Sequence, residues 1–410
     1  MIERTAYKTI LKTVSNKPVT LITGARQVGK TTLCYRLKDD LNAEYVTLAD
    51  MDERKLATRD PKAFLKIHKM PLIIDEVQYA PELFQEIESI VDKERLNNPQ
   101  INGLFILTGS QAYSLMENIT QSLSGRVGIV TVSPLSISEI SGKKEHPFRI
   151  DPIGALTAAQ NQDIPDIYSL MIRGMYPELH VNENLPYDSF YSDYVDTYIM
   201  RDVSEMTAVR DKDKFRSFME VLASLTGQEL VYETISKAIG IDLKTIRKWL
   251  SILIAGDVIH LLEPYSDTSV VKRVSKRPKI YFKDTGLACY LAKIPDERIL
   301  FASYLRGPMT ETFIINEIIK THRNNGLKTP FFYYRDSNRN EIDLLMLYDG
   351  KLNMIECKSG DTYDTGDVKS FGRLPTSLPK SGCIVCNCDK PYPISQEIYA
   401  FPIKSMGSWE

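Results

Sequence analysis

The sequence predicts an α/β fold: a parallel sheet flanked by helices, followed by a helical module and a smaller second α/β domain. Three observations predict the first sheet. An apolar stretch, Val19 to Ile22, leads into a glycine-bearing loop, and a helix with apolar residues at helical intervals follows that loop. Two further apolar stretches, 71–75 and 104–108, end in polar residues. Ligands of open α/β sheets bind at such strand ends.

Length and charge limit the classes of function. A chain of 410 residues is long enough for two to four domains with their own cores. The 51 Lys and Arg residues nearly balance the 53 Asp and Glu residues, so any contact with nucleic acid must be local. The charged start of the chain does not resemble a secretory signal, and no apolar run approaches the length of a membrane span. We therefore expect a cytoplasmic protein without a membrane partner.

The glycine-bearing loop, Gly-Ala-Arg-Gln-Val-Gly-Lys-Thr, has the spacing of a phosphate-binding loop (P-loop) of nucleotide hydrolases. Gly24 and Gly29 let the backbone curl so that its N–H groups face the phosphates. Lys30 can reach the outer phosphates, and the Thr31 hydroxyl can hold Mg²⁺. A chance match in a glycine-bearing turn is the alternative. The predicted ATP-binding residues of this loop are Gly24, Ala25, Arg26, Gln27, Val28, Gly29, Lys30, Thr31 and Thr32.

Polar residues at the ends of the later strands extend this prediction. Asp75 and Glu76 follow an apolar strand, as in a Walker B segment. Asp75 would hold Mg²⁺, and Glu76 would orient and deprotonate the attacking water. Thr108 or Ser110 could sense the γ-phosphate or could instead cap the next helix. Arg126 could stabilise charge on the transferred phosphate or could be a surface arginine.

These motifs, together with Ser-Gly-Arg followed by Pro-Leu-Ser, resemble the AAA-type ATPase domain of a large bacterial and archaeal family of ATP-binding proteins. In that family a P-loop ATPase is joined to a second module. The resemblance implies an additional-strand (ASCE) P-loop fold for residues 1–140, with strand order 5-1-4-3-2. Residues 141–210 would form a linker and a helical lid. Within the lid, Arg173 and Arg201 could sense ATP or could form ion pairs.

Residues 211–298 have the pattern of a winged helix-turn-helix. Three predicted helices, the third being 243–255, precede two strands, 258–262 and 278–282. The third helix carries basic residues on one face, and the segment around the second strand is also basic. Both could contact a DNA duplex, although a winged helix can also serve protein packing alone. The basic residues are Lys244, Arg247, Lys248, Lys272, Arg273, Lys276, Arg277 and Lys279.

Residues 299–410 hold a second set of chemically informative residues. Glu311 lies on an apolar helix, and a predicted hairpin brings Asp343 beside Glu356, with Lys358 on the same strand face. Glu311, Asp343 and Glu356 could bind Mg²⁺, and Lys358 could help to activate water for phosphodiester hydrolysis. The alternative for Glu356 and Lys358 is a pair of solvated strand-end charges.

This spacing, Asp343, then twelve residues, then Glu-Cys-Lys, resembles the restriction-endonuclease-like superfamily, although Ile342 replaces the expected proline. Such domains are often kept as inactive binding modules. The three cysteines 383, 386 and 388 could form a metal knuckle, but a buried strand with reduced thiols is favoured because no second pair of ligands lies nearby.

Two functions follow. In the first, ATP hydrolysis with Mg²⁺ drives a DNA-binding or DNA-cleaving C-terminal module. In the second, the protein is a switch ATPase whose C-terminal domain only binds a partner. The sequence leaves open whether the chain forms a homo-oligomer.

Overall fold

A computed structural model describes residues 2–109, 122–159, 165–199, 211–266 and 277–409. The chain divides into two compact units. The first unit comprises Arg4–Ser133 and Ser251–Asp257, and the second contains Pro134–Leu250 and Val258–Glu410. Among the described residues, no helix combines the length and the apolar character that crossing a membrane requires.

The first unit is built on a parallel sheet of five strands in the order β2-β3-β4-β1-β5. This order confirms the one implied by the family resemblance. Its strands are β1 Val19–Thr23, β2 Glu44–Thr47, β3 Leu72–Asp75, β4 Phe105–Thr108 and β5 Val127–Thr131. Its described helices are α1 Ala6–Asn16, α2 Lys30–Leu41, α3 Met51–Arg59, α4 Pro61–Ile67 and α5 Leu83–Asn97.

The central strands are apolar because both of their faces are covered. Every residue of β1, β3 and β4 is buried, whereas β5 lies at an edge and buries only Val130. Continuous burial is typical of parallel strands that are packed between helices. Because β1, β3 and β4 run parallel, their carboxyl ends, with their polar residues, lie at one edge of the sheet.

The second unit begins with short helices. They are α6 Ile137–Ile140, α7 Pro152–Ala159, α8 Ile167–Arg173, α9 Pro177–Val181 and α10 Tyr187–Asp193. A capping box opens α6, where Ser136 accepts a hydrogen bond from the Glu139 backbone and Glu139 accepts one from the Ser136 backbone.

The middle of the chain contains the predicted three helices and ribbon. The helices are α11 Lys212–Ser224, α12 Tyr232–Ile239 and α13 Leu243–Ala255. Asp242 caps α13 as predicted, by accepting a hydrogen bond from the backbone N–H of Thr245. An antiparallel sheet in the order β6-β8-β7 accompanies them, with β6 Gln228–Glu229, β7 Ile259–Leu262 and β8 Lys279–Phe282.

The C-terminal part contains a six-stranded sheet in the order β13-β14-β12-β11-β10-β9. Its strands are β9 Phe331–Arg335, β10 Glu341–Tyr348, β11 Lys351–Cys357, β12 Lys380–Cys386, β13 Tyr392–Pro393 and β14 Ile398–Pro402. Helices α14 Thr285–Leu291, α15 Glu297–Ala302 and α16 Arg306–Asn324 precede the sheet. The cysteine-bearing segment is strand β12, and all six cysteines are buried free thiols.

The predicted division at 140, 210 and 298 stays a prediction. The chain passes from the first compact unit to the second at Ser133–Pro134. Within the second unit, β8 and α16 are joined by buried polar contacts that sequence patterns do not reveal.

Candidate functional site

The P-loop conformation requires its two glycines. Gly24 has φ +141°, and a Cβ atom there would lie 2.1 Å from the Val132 carbonyl oxygen. Gly29 has φ +92° and forms the left-handed N-cap of α2. Side chains other than hydrogen are strained at such angles. The loop therefore presents its backbone closely, as phosphate binding needs.

Lys30 is buried at the start of α2 and donates hydrogen bonds to two carbonyl oxygens of its own loop. Its Nζ lies 3.1 Å from Gly24 O and 2.8 Å from Ala25 O. Burial lowers the pKa of Lys30 to about 8, and the negative charges of Glu76 and Asp75 only partly oppose this shift. Both carbonyl partners are neutral. An anion placed in the loop would therefore stabilise the ammonium group.

Three hydroxyl groups converge on the Asp75 carboxylate at the end of β3. Thr31 Oγ1 donates to it at 3.2 Å, and Thr108 Oγ1 also donates to it. The same Thr108 oxygen accepts a hydrogen bond from the Glu76 backbone N–H at 3.1 Å. Thr108 therefore orients both acidic residues, a function distinct from the phosphate contact considered above. Gln78 Nε2 donates to the Glu76 carboxylate.

Two residues of this site were missed by the sequence analysis. Tyr45 on β2 is the third hydroxyl donor to Asp75, at 2.9 Å, and its ring stacks on Tyr35. Arg4 is buried and donates to the carbonyl oxygens of Val28 at 2.7 Å and Ser133 at 2.5 Å. An aromatic residue in a strand and an arginine before a helix are common. Neither carries a local signal of these long-range contacts.

Arg126, a predicted phosphate contact, does not lie at this chain's own P-loop. Arg126 precedes β5, and its carbonyl oxygen accepts a hydrogen bond from the backbone of Val19, the first residue of β1. The P-loop follows the opposite end of β1. The Arg126 guanidinium instead binds Asp92, at 2.6 and 2.7 Å, and Glu88 at 3.2 Å.

The structure describes one of the two candidate lid arginines. Arg173 donates to the carbonyl oxygens of Leu179, Asn182 and Glu183, so its guanidinium holds a turn. Arg201 and Ser110 lie outside the described residues.

The C-terminal hairpin assembles the second predicted set. Leu344 pairs with Ile355 in the β10–β11 ladder, and the same register continues to Asp343 and Glu356. The Asp343 carboxylate accepts a hydrogen bond from the Cys357 backbone at 2.8 Å. Lys358 Nζ lies 2.7 Å from the Glu356 carboxylate. The predicted meeting of these residues across the hairpin is confirmed.

Glu311 is held by two residues of β8. Its carboxylate accepts hydrogen bonds from Lys279 Nζ at 2.9 Å and from Tyr281 at 2.6 Å. Lys279 Nζ also lies 2.5 Å from a Glu341 carboxylate oxygen. The sequence analysis counted Lys279 among the basic residues that could contact DNA, but its side chain is buried among carboxylates.

Electrostatics join these pairs into one cluster. Burial raises the pKa of Glu356 to about 8, and the neighbouring Asp343 adds to the shift. Burial also raises the pKa of Glu311 to about 7, where Lys279 opposes the shift and Asp343 increases it. Among the described residues, no three His, Cys, Asp or Glu side chains are arranged to hold a metal ion. As folded, the cluster does not fit the predicted metal.

The remaining basic residues differ in what the structure describes. Lys244, Arg247 and Lys248 are exposed on α13. Lys272, Arg273 and Lys276 lie outside the described residues. The exposed face of α13 therefore remains a candidate for contact with a nucleic acid backbone.

Comparison with known proteins gives three family matches along the chain. Residues 16–141 match the family model described as an AAA domain. Residues 164–298 and 306–406 match two models described as domains of unknown function, DUF8612 and DUF4143.

The chain is also similar to complete proteins. Uncharacterized proteins of Mycobacterium bovis and Mycobacterium tuberculosis are each 26% identical over 402 residues, 97% of this chain and 83% of theirs. Among solved structures, the Walker-type ATPase PABY2304 of Pyrococcus abyssi has a TM-score of 0.44 at 15% identity, covering 71% of this chain and 96% of that one. The Holliday junction branch migration motor RuvB of Thermotoga maritima has a TM-score of 0.30 at 13% identity, covering 62% and 88%.

Proposed function

We propose that the protein binds ATP with Mg²⁺ in the P-loop and hydrolyses it to ADP and phosphate. The observation that carries this proposal is the state of Lys30, a buried ammonium that bonds to loop carbonyls beside the network of Thr31, Asp75 and Glu76. The loop presents an ammonium group and backbone N–H groups to an anion, and Thr31 and Asp75 offer oxygen ligands to a cation. A triphosphate with its metal would use both sets of groups.

The donor set fits Mg²⁺, a cation that prefers hydroxyl and carboxylate oxygens. Thr31 and Asp75 would hold it. When bound, Mg²⁺ neutralises charge on the phosphate oxygens. The loop N–H groups and Lys30 would bind the phosphates, and Glu76 would accept the proton of the attacking water. Thr108 would keep Glu76 in place through the bond to its backbone N–H.

Glu76→Gln tests this assignment. The variant should bind ATP but hydrolyse it about 10²- to 10⁴-fold more slowly, because the amide cannot accept the proton of water. Phosphate release and ATP binding should be measured together. Glu82→Gln, an exposed change nearby, is the matched control and should behave as wild type. Unchanged turnover of Glu76→Gln would refute the base assignment.

We further propose that nucleotide state reaches the second unit along the chain after β5. Val132 donates to Thr23 O at 2.7 Å, and Arg4 binds Ser133, so this segment follows the P-loop. The next residues of the chain contact helix α16. The Leu135 carbonyl oxygen accepts a hydrogen bond from Lys320 at 2.7 Å, and the Ile137 backbone N–H donates one to Glu317 at 2.9 Å. A shift of the P-loop would therefore pull on α16.

Hydrogen exchange tests this path. Amide exchange in 306–324 should differ between nucleotide-free Glu76→Gln and the same variant saturated with ATP and Mg²⁺. Helix α5, which carries none of these contacts, is the internal control. Equal exchange of α16 in both states would contradict the path.

For the C-terminal module, we favour a switch that binds a partner over a DNA-cleaving enzyme. The observation that favours it is Lys279, which already pairs with Glu311, one of the three predicted metal ligands, and with the neighbouring Glu341. Purified protein should not nick supercoiled DNA with Mg²⁺ at low salt. Nicking that Lys358→Ala abolishes would instead establish the first hypothesis. DNA binding lost in Lys244→Ala and Arg247→Ala would identify DNA as the partner.

A further inference from the structure

The C-terminal carboxylate cluster contains its own cations. Four carboxylates, Glu311, Glu341, Asp343 and Glu356, are accompanied by the ammonium groups of Lys279 and Lys358. The two lysines differ in origin. Lys358 directly follows β11, the strand that carries Glu356, whereas Lys279 comes from β8.

Lys279 is placed as a structural counter-ion rather than as a surface charge. Its side chain is 4% exposed, and that of its partner Glu311 is 15% exposed. Burial by itself lowers the pKa of Lys279, but Glu311, Asp343 and Glu341 outweigh this effect and raise it above its usual range. The ammonium therefore stays charged in the folded protein and bridges two carboxylates, as a bound cation would.

We propose that Lys279 occupies the place of a divalent cation, and that the ribbon strand β8 thereby closes the carboxylate cluster to metal. One oxygen of Glu311, Oε1, accepts from both Lys279 and Tyr281, so it is already used by two donors and is not free to bind a metal. A compact ammonium satisfies the carboxylates with a single positive charge and three donors.

The alternative is a buried ion pair that serves folding alone. It would leave the cluster unable to bind metal even without Lys279. The two interpretations differ in what happens when the ammonium is removed and the carboxylates are kept. This inference concerns the C-terminal cluster only and does not depend on ATP hydrolysis in the first unit.

The test is calorimetric titration of the full-length protein with Mn²⁺ alone, without nucleotide. Lys279→Met should bind one Mn²⁺ per chain more than wild type does, or bind it at least about tenfold tighter. Lys279→Arg, which keeps the charge, should behave as wild type. Lys279→Met combined with Glu311→Gln should lose the gain. Lys351→Met, an exposed change on β11, is the matched control.

A second readout covers the case in which Lys279→Met folds poorly. Mn²⁺ should then raise the melting temperature of that variant and leave that of wild type unchanged. Equal Mn²⁺ binding by wild type and Lys279→Met, whether strong or absent, would overturn the proposal. DNA nicking by the Mn²⁺-loaded variant reports separately on whether the opened cluster is a nuclease.

Discussion

The two sites hold buried lysines in opposite electrostatic states. Lys30 of the P-loop donates to neutral carbonyls, and burial lowers its pKa to about 8. Burial acts in the same direction on Lys279 and Lys358, but the carboxylates around them raise their pKa values above the usual range. In the first site the hydrogen-bond partners of the ammonium are neutral, whereas in the second the ammonium groups are paired directly with carboxylates.

This difference predicts how ligand binding affects the stability of each site. An anionic ligand relieves the desolvation of Lys30, so binding and stability increase together. A ligand of the C-terminal cluster must first displace an internal ion pair, which costs the contacts that hold the unit together. We therefore expect the first site to bind its ligand as folded, and the second to bind a ligand only at the cost of an internal ion pair.

The largest effect is expected at Lys279. Replacing it with Met leaves Glu311 and Glu341 without their shared cation, and removing one partner of a buried pair costs about 3–5 kcal/mol. Urea unfolding of the second unit should show this loss, whereas ATP hydrolysis by the first unit should persist. Lys351→Met should change neither quantity. A loss below about 1 kcal/mol would mean that the pair is weak, as pairs at a surface are.

Lys30→Ala should have the opposite pattern of effects, with a large loss of ATP hydrolysis and little loss of stability. Hydrolysis should fall about 10²- to 10³-fold, the cost of removing one donor to a transition-state oxyanion. Stability should change little, since the ammonium donates to neutral carbonyl oxygens and its burial is unfavourable. Steady-state turnover and thermal melting measure the two effects. Lys38→Ala, exposed on the same helix, is the control, and unfolding of Lys30→Ala would contradict the comparison.

Acid pH should weaken the second unit through His322 on α16. Burial lowers its pKa to about 4, although its hydrogen bond to the Phe148 carbonyl opposes this shift. The unfolded chain therefore binds the proton first, and the stability present above pH 6.5 falls as the pH decreases toward 4. The loss is about 2 kcal/mol by pH 5. Urea unfolding at pH 7 and pH 5 should show a smaller difference in His322→Gln than in wild type.

The smallest effect is expected at Tyr45. Tyr45→Phe removes one of three hydroxyl donors to Asp75 and keeps the stacking on Tyr35. One hydrogen bond to a charged group contributes about 1.5–3 kcal/mol, and the remaining donors should reduce the loss to the lower end. We expect a decrease in kcat of roughly tenfold. Tyr35→Phe, which retains the ring contact, should leave turnover unchanged.

Much of the fold was predictable because its signals are local. The P-loop, the strand before it and the Asp-Glu pair after β3 are contiguous patterns, and the hairpin turn at Asp349 and Gly350 fixes the register that joins Asp343 to Glu356. Successive residues of a strand point to opposite faces, so Cys357, between Glu356 and Lys358, was predicted to lie in the core. It is buried.

The rest depends on contacts between distant segments. Tyr45 reaches Asp75 because β2 pairs with β3. The sequence of neither strand alone predicts which strand it pairs with. Arg126 was expected near the phosphates, but it lies at the opposite end of β1, because a short motif does not show which edge of a sheet it occupies. Lys279 was counted as a basic wing residue because the sequence shows its charge but not its partners, Glu311 and Glu341, which are 32 and 62 positions away.

The central claim is that the P-loop binds ATP with Mg²⁺, and titration calorimetry of the full-length protein tests it most directly. We predict one saturable nucleotide site per chain, accompanied by a rise in melting temperature, and loss of both in Lys30→Ala. Absence of binding heat and of any thermal shift in wild type, or equal binding by Lys30→Ala, would contradict the account.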